Sequence, residues 1–456
     1  MDRGIKGIIS QAVIPQANSR EFLDKGVYNV SRQLDRKVRE QGTRFLVYPQ
    51  FRGIRGFQKP EVIYLNAEPG SIQAGPEDDR QYVIDAVGKR PYRNGEGPPY
   101  TGKRNPPLQP DAQGHFDHVQ PGSREFSAAA MFATIRRTQD IWEDYFKVKI
   151  TPPEKLLLIP LIDWDNAQAG SNFLEFGYAE DAGQRYPYCE NFDVLSHEEG
   201  HFIKDQIIGN PSIGNDTEDY HGHHEAFGDL VAIVASLHFN TVLDELLEHT
   251  SGNLFTENEL SRLGEFGINR FIRLAFNDRK LSDVRERSKF DPWRREEHAL
   301  SEPFTGGVFD ILVEVFQIAL IERNLISADL GRRSYQTHHN RSEAEAIQQE
   351  FKQLYAGNEE QFKDCLIEAR DFLGTLMAEA WKQTSPDKLT YSKVLQNILD
   401  ADQKISGGKY QQTIIACFDW REIQAPAVAA NLLAWTKPHI IEELAYDPAK
   451  EGVTLQ

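Results

Sequence analysis

The stretch His197-Glu198-Glu199-Gly200-His201 has the residue types and the spacing of a metal-binding helix. Residues four positions apart lie on one face of an α-helix, so His197 and His201 can direct their imidazoles at one ion. Glu198 lies beside that face, where its carboxylate can reach a water on the metal without binding the metal. The pattern therefore predicts a hydrolytic metal centre with Glu198 as the general base. A surface helix with incidental histidines is the alternative.

A second pair of acidic residues follows on the next predicted helix. Glu225 and Asp229 are one helical turn apart, and a stretch rich in turn-forming residues precedes them. A catalytic zinc ion usually takes three protein ligands, and Glu225 can supply the third beside the two histidines. Asp229 can accept a hydrogen bond from the ring nitrogen of His197 that faces away from the metal. We therefore expect one catalytic Zn²⁺ held by His197, His201 and Glu225.

The two motifs, H-E-x-x-H and a later E-x-x-x-D, resemble those of the gluzincin zinc metallopeptidases, and the thermolysin-like enzymes in particular. Asn166 and Ala167 match the positions at which that family's edge strand holds an extended peptide substrate. The stretch from Phe227 to Ala235, with His224 before Glu225, is more similar to leaderless bacterial relatives than to the secreted enzymes. The resemblance has motif support from residue 115 to residue 325 and becomes weaker towards residue 425.

The resemblance also implies a tyrosine and a histidine that point at the oxyanion, and here the sequence departs from the family pattern. No tyrosine stands at the matching offset, so Tyr220 is the nearest candidate. His298 is the best histidine because it precedes a long apolar helix, although its spacing is longer than usual. His223 and His224 are rivals for that role. Otherwise we expect His224 to lie behind the metal ligands and not to bind a second metal.

Structural calcium is a further property of the secreted relatives. Asp193 fits one calcium-ligand position, but Ser236 stands where an acidic partner is expected. The sequence therefore does not support a calcium site.

The surrounding sequence predicts an α+β protein, with an α/β lobe followed by a helical lobe and the zinc ion in the cleft between them. The resemblance implies that this pair of lobes is thermolysin-like. Residues 1–115 form a region rich in strands and loops, and a Pro/Gly-rich stretch between residues 87 and 122 is expected to be an ordered loop without chemistry of its own. Residues 116–235 form an α/β catalytic lobe with a long helix from Ser123 to Phe146. Residues 236–456 form a helical lobe. Its predicted helices span residues 240–250, 259–276, 306–326, 341–356, 359–382 and 391–402.

Composition excludes several classes of partner. The chain has 456 residues, a formal net charge of −18 and 40% hydrophobic residues, which is typical of a globular protein. The acidic balance argues against nucleic acid as a partner. The three cysteines are too few for a disulfide framework, and no apolar run is long enough to predict a membrane span. The first residues lack a signal-peptide core, so we expect a cytoplasmic protein, or one exported without a cleavable signal.

Together these features predict a peptidase that acts on a peptide or protein through a metal-activated water, and an endopeptidase in particular. An aminopeptidase of the same class is the first alternative, but it needs an acidic group for the substrate amine, and no short motif of that kind lies just upstream. A non-catalytic zinc-containing binding or scaffold protein is the second. The departures at the oxyanion favour it, and the intact Glu198 opposes it. An effector or toxin that cleaves one host protein would use the same chemistry.

Overall fold

The computed structural model describes residues 29–256, 258, 262–263, 273–290, 297–334 and 341–426, except for residues 94, 153, 171, 182 and 183. Its architecture is mixed α/β, with about 52% helix and small sheets, which agrees with the α+β class in general. The helices are α1 Asn29–Gln41, α2 Arg124–Phe146, α3 Phe192–Ile207, α4 Glu218–Ser236, α5 Asn240–Thr250, α6 Leu281–Phe290, α7 Glu297–Glu322, α8 Ala328–Ser334, α9 Arg341–Tyr355, α10 Glu359–Lys382, α11 Tyr391–Ser406 and α12 Gln411–Asp419. The strands are β1 Thr43–Val47, β2 Glu61–Leu65, β3 Gln81–Val83, β4 Leu156–Ile159, β5 Ala167–Gly170, β6 Phe173–Phe176, β7 Tyr178–Asp181, β8 Gln184–Pro187, β9 Arg262–Leu263 and β10 Arg273–Leu274.

The central sheet has the strand order β3-β4-β6-β5, with β5 antiparallel to β6 at one edge and the other pairs parallel. β4 is buried on both faces, which explains its continuous apolar sequence. Leu158 joins the main core, which includes α2, whereas Leu157 joins a smaller cluster on the other face. Tyr92 and Tyr100 pack against that smaller cluster, so the Pro/Gly-rich stretch covers the second face of the sheet.

Helix α2 passes through the main core and supports the helices that follow it. Most of its side chains are buried, as expected for a core helix. Ser123 caps its start, where the hydroxyl accepts a hydrogen bond from the backbone N–H of Phe126. Lys147 caps its end and has a left-handed conformation with a φ of 58°. α2 packs against α3 on one side and against α10 on another.

Helices α3, α4 and α7 form a layered group in which α4 packs against both of the others. One continuous cluster of buried apolar side chains extends from Phe45 to Ala425. The boundaries predicted at residues 115 and 235 lie within this span, so the predicted lobes contribute to a common core. α7 is long and apolar enough to cross a membrane, as is the bent pair α4 and α5 if it is taken as one span, but 94% of the apolar window of α7 is buried inside the protein.

Most of the predicted helices are confirmed, including the long helix that ends at Phe146 and those that begin at residues 240, 341, 359 and 391. The helix predicted at 306–326 begins earlier, at Glu297. The helix predicted at 259–276 is wrong where the structure describes it, because Arg262–Leu263 and Arg273–Leu274 pair as antiparallel strands. Gly264 and Gly267 lie between them and disfavour a helix. The remaining residues of that prediction lie outside the described residues.

Candidate metal centre

The three predicted ligands come together between α3 and α4. One ligand atom from each of His197, His201 and Glu225 lies within 4.8 Å of the other two, and this is the one such group of His, Cys, Asp and Glu side chains in the described part of the chain. The Nε2 atom of His197 is 3.4 Å from Oε2 of Glu225, and that of His201 is 3.7 Å from Oε1. In a tetrahedral zinc site with ordinary zinc–nitrogen and zinc–oxygen bond lengths, two ligand atoms are about 3.3 Å apart. The spacing therefore fits one zinc ion.

Two glycines allow α3 and α4 to approach this closely. A Cβ atom on Gly200 would lie 2.6 Å from Cα of Gly228, which is closer than packed atoms can come. A Cβ atom on Gly228 would lie 2.8 Å from Nδ1 of His197 and 2.9 Å from its carbonyl oxygen. Glycine inside a helix lowers helix stability by about 1 kcal/mol relative to alanine, so both helices are intrinsically less stable at this crossing. Sequence reasoning missed both residues, although each stands inside a recognised motif.

Asp229 lies behind His197, as the sequence predicts. Its Oδ1 atom is 2.9 Å from Nδ1 of His197, and its side chain is buried. The carboxylate accepts the Nδ1 proton, which leaves the lone pair on Nε2 of His197 directed at the ligand cluster. The imidazole is thus held in the tautomer that a metal requires.

His298, from the first turn of α7, reaches the same cluster. Its Nε2 atom lies 3.1 Å from Oε2 of Glu225, and its side chain is 51% exposed. Burial alone would raise the pKa of the Glu225 carboxyl, but the neighbouring imidazoles of His197, His224 and His298 hold that pKa far below its usual value. Glu225 is therefore an anion throughout the physiological range.

The close packing of α7 against α4 determines the position of His298 beside the cluster. A Cβ atom on Gly222 would lie 2.9 Å from Cβ of Leu300, so the two helices touch one turn before Glu225. The carbonyl of Leu300 accepts a hydrogen bond of 2.7 Å from the hydroxyl of Tyr391 on α11. These contacts fix the first turn of α7 beside the cluster.

The histidines near Glu225 have different environments. The ring of His224 stacks on that of His201, with the centroids 4.1 Å apart and the planes at 8°, so His224 lies beside a predicted ligand. His223 is fully buried, and its Nε2 accepts a hydrogen bond of 3.2 Å from Trp381. Burial, together with Lys204 and His224, lowers the pKa of His223 to about 3. His223 is therefore a neutral residue of the core.

The hydroxyl of Tyr220 is engaged away from the ligands. It donates a hydrogen bond of 2.8 Å to Oδ1 of Asn210 and contacts Nζ of the buried Lys204. Burial is the main reason that the pKa of Tyr220 rises to about 12. Tyr220 stands five residues before Glu225, which places it about 140° around the helix axis from that ligand. The structure thus brings His298, and not the Tyr220 hydroxyl, to Glu225.

Two adjacent glutamates on α3 point to different sides. Glu198 is partly exposed and follows the ligand His197 directly. Glu199 is fully buried, and its Oε1 accepts a hydrogen bond of 2.8 Å from Nε2 of Gln139 on α2. Burial raises the pKa of Glu199 well above its ordinary value of 4.5. Of the two carboxylates, only that of Glu198 reaches solvent.

Asn166 and Ala167 lie at the open edge of the sheet, where β5 contacts α3. The carbonyl of Asn166 accepts a hydrogen bond of 2.9 Å from the N–H of Gly177 and so points towards the neighbouring strand. Along an antiparallel strand, the N–H and C=O groups of successive residues point alternately towards the neighbouring strand and away from it. The backbone groups of Ala167 and Ala169 therefore point away from the sheet. The N–H of Ala167 is bonded to Oδ1 of Asn166 at 2.9 Å.

Asp193 is buried near the start of α3, and its Oδ1 lies 2.9 Å from the N–H of Val194. Ser236 is buried at the last residue of α4.

No protein-family model matches the chain, and no curated protein matches it.

Proposed function

We propose that this protein is a zinc-dependent peptidase of the gluzincin class, with a thermolysin-like pair of lobes, that cuts peptide bonds inside a chain. The observation that carries the proposal is the convergence of His197, His201 and Glu225 at a spacing that suits tetrahedral zinc. Asp229 behind His197 adds a feature that an incidental pair of histidines does not need.

The donor set fits zinc. Two imidazole nitrogens and one carboxylate are the ligands of a catalytic zinc ion with an open fourth position. Zinc bound there supplies a Lewis acid, which lowers the pKa of water and polarises the substrate carbonyl. The half-exposed His298 leaves the cluster accessible from the side of α7.

Glu198 serves as the general base in this proposal. It takes a proton from the attacking water and passes that proton to the leaving amine. His298 donates a hydrogen bond to the carbonyl oxygen as negative charge develops on it. We do not assign this second role to Tyr220, because Asn210 and Lys204 occupy its hydroxyl.

The substrate binds as an added strand on β5. Ala167 and Ala169 offer outward-facing backbone groups, and the side chain of Asn166 can exchange its bond to Ala167 for one to the peptide. A strand that pairs along this edge is held on both sides of the bond to be cut. This mode of binding favours internal cleavage over trimming from the amino end.

Cleavage of a peptide library, with and without a chelator, tests the function. We expect internal cuts that a chelator abolishes and added zinc restores. Glu198→Gln should retain zinc but lose hydrolysis, whereas Glu360→Gln at an exposed position serves as the control and should behave as wild type. Trimming from the amino end would instead establish an aminopeptidase. Zinc binding without any cleavage would support the scaffold protein.

A further inference from the structure

The edge strand β5 has little intrinsic stability. Its sequence, Ala167-Gln168-Ala169-Gly170, contains no β-branched or aromatic residue, and alanine and glycine are depleted in strands. Within the described part of the chain it pairs with β6 alone, and all four of its residues are partly exposed. A strand of this kind needs an additional interaction to hold its register against a bound peptide.

A buried ion pair lies directly behind this strand. Glu175 on β6 is the cross-strand partner of Gln168 and is completely buried. One oxygen of its carboxylate accepts hydrogen bonds of 2.5 Å from Nε2 of Gln168 and 2.6 Å from the N–H of Tyr92. The other oxygen is 2.5 Å from Nζ of Lys89, whose side chain is 5% exposed. The negative charge on Glu175 is thus paired with Lys89, and its other oxygen accepts two hydrogen bonds.

The cation comes from the Pro/Gly-rich stretch, which bonds both to the edge strand and to the segment just before it. Nζ of Lys89 lies 3.4 Å from the centroid of the Tyr92 ring, at cation–π distance. The carbonyl of Lys89 accepts a hydrogen bond from the N–H of Asp163, just before the edge strand. Gln168 also donates to the carbonyl of Tyr92 at 3.1 Å. The stretch therefore contributes to the organisation of the edge.

The ion pair and the substrate edge are on separate sides of the strand. Ala167 and Ala169 pack towards the main core, which contains α3, whereas Gln168 points to the opposite face. A shift of one residue in the pairing of β5 with β6 would turn the Gln168 side chain away from Glu175. The carboxylate would then lose one of its hydrogen-bond donors. Lys89 and Glu175 can thus control the position of the edge without contact to a peptide.

We propose that Lys89 and Glu175 are positioning residues that hold β5, through Gln168, in the register required for a peptide to bind as an added strand. The proposal rests on the proposed peptidase function. It assigns a role in substrate binding to a pair of side chains that lies on the far face of the sheet from the metal ligands.

Glu175→Gln is the first test. We expect KM for extended peptides to rise about tenfold, because the edge no longer has one fixed register to offer the substrate. A blocked dipeptide that is too short to pair along β5 should keep its KM and kcat. Zinc content should remain that of the wild type, since no metal ligand is touched.

Two further variants separate positioning from a general loss of stability. Glu322→Gln breaks the Lys409–Glu322 pair, which is similarly buried but lies in the helical region, with Nζ 3.0 Å from the carboxylate. It should lower the melting temperature, and any change in KM should be the same for long and short substrates. Gln168→Met removes the link to the edge and leaves no buried charge unpaired. It should reproduce the selective rise in KM even if Glu175→Gln folds poorly.

Amide hydrogen exchange provides a readout that does not require activity. We expect faster exchange at residues 167–170 in Glu175→Gln and Gln168→Met than in wild type or Glu322→Gln. Unchanged exchange there, or an equal rise in KM for long and short substrates, would overturn the inference. Absence of cleavage by the wild-type protein would instead count against the peptidase function, and the exchange comparison would still decide the role of the ion pair.

Discussion

The two faces of α3 each carry a glutamate, in different surroundings. One face carries His197, Glu198 and His201, whereas the inner face, towards α2, carries Ser196 and Glu199. On the inner face, the hydroxyl of Ser196 is 2.9 Å from that of Thr138, and Glu199 binds Gln139. These polar contacts fix the rotation of the helix as the apolar core alone could not. The difference teaches that direction, more than residue type, determines the surroundings of each carboxylate.

The largest expected effect separates Glu198 from Glu199. Glu198→Gln should lower kcat by about 10³-fold, within the range for a lost general base, with zinc still bound. Glu199→Gln should keep kcat close to wild type, because the amide can accept the same hydrogen bond from Gln139. Steady-state kinetics and metal analysis of both variants check this prediction. Similar losses in the two variants would remove the distinction between the faces.

A second comparison concerns His298 and Tyr220. His298→Ala should lower kcat by about 10²-fold, since it removes a donor to the developing oxyanion. Tyr220→Phe should leave kcat nearly unchanged but lower the melting temperature, because Asn210 and Lys204 lose a buried partner. The opposite ranking of the two kcat values would return the oxyanion role to Tyr220.

The helix crossing itself can be tested through zinc affinity. Gly228→Ala should push against His197, and we expect an affinity loss of about 10- to 100-fold, similar to that for the removal of a group behind a ligand. Asp229→Asn should weaken zinc binding by a comparable factor while the crossing remains intact. Competition with a chelator measures both. Wild-type affinity in Gly228→Ala would show that the crossing has room to adjust.

The smallest effect concerns pH and the inner face. The pKa of Glu199 is raised in the folded protein, so ionisation of this group opposes folding. Wild type and Glu199→Gln should be similarly stable below the ordinary carboxyl pKa of 4.5, and wild type should lose stability relative to the variant as the pH rises above it. Chemical denaturation at a series of pH values measures the difference. A difference that stays constant with pH would contradict the assignment.

Local spacing allowed the sequence to predict the helices around the candidate metal centre and the residues that meet there. His197, His201, Glu225 and Asp229 each belong to a short motif on one helix, and helix periodicity determines which side chains share a face. The same periodicity, applied to Tyr220, would have shown that it lies far around α4 from Glu225.

Other features depended on contacts between distant segments. The approach of Gly200 to Gly228 follows from the packing of two helices, and nothing in either motif specifies it. The bond between Lys89 and Glu175 joins a loop to a strand far along the chain. The strands β9 and β10 are two residues long, which is too short for a period-two pattern to be recognised.

The glycine crossing also has a consequence for the metal-free protein. Because backbone atoms of α3 and α4 make the contact and both helices belong to the main core, the crossing does not depend on an ion. If zinc binds as proposed, folding does not require it, in contrast to small domains that are unfolded without their metal. Its removal should shift the thermal transition only by mass action, and a reloaded protein should recover without passing through an unfolded state.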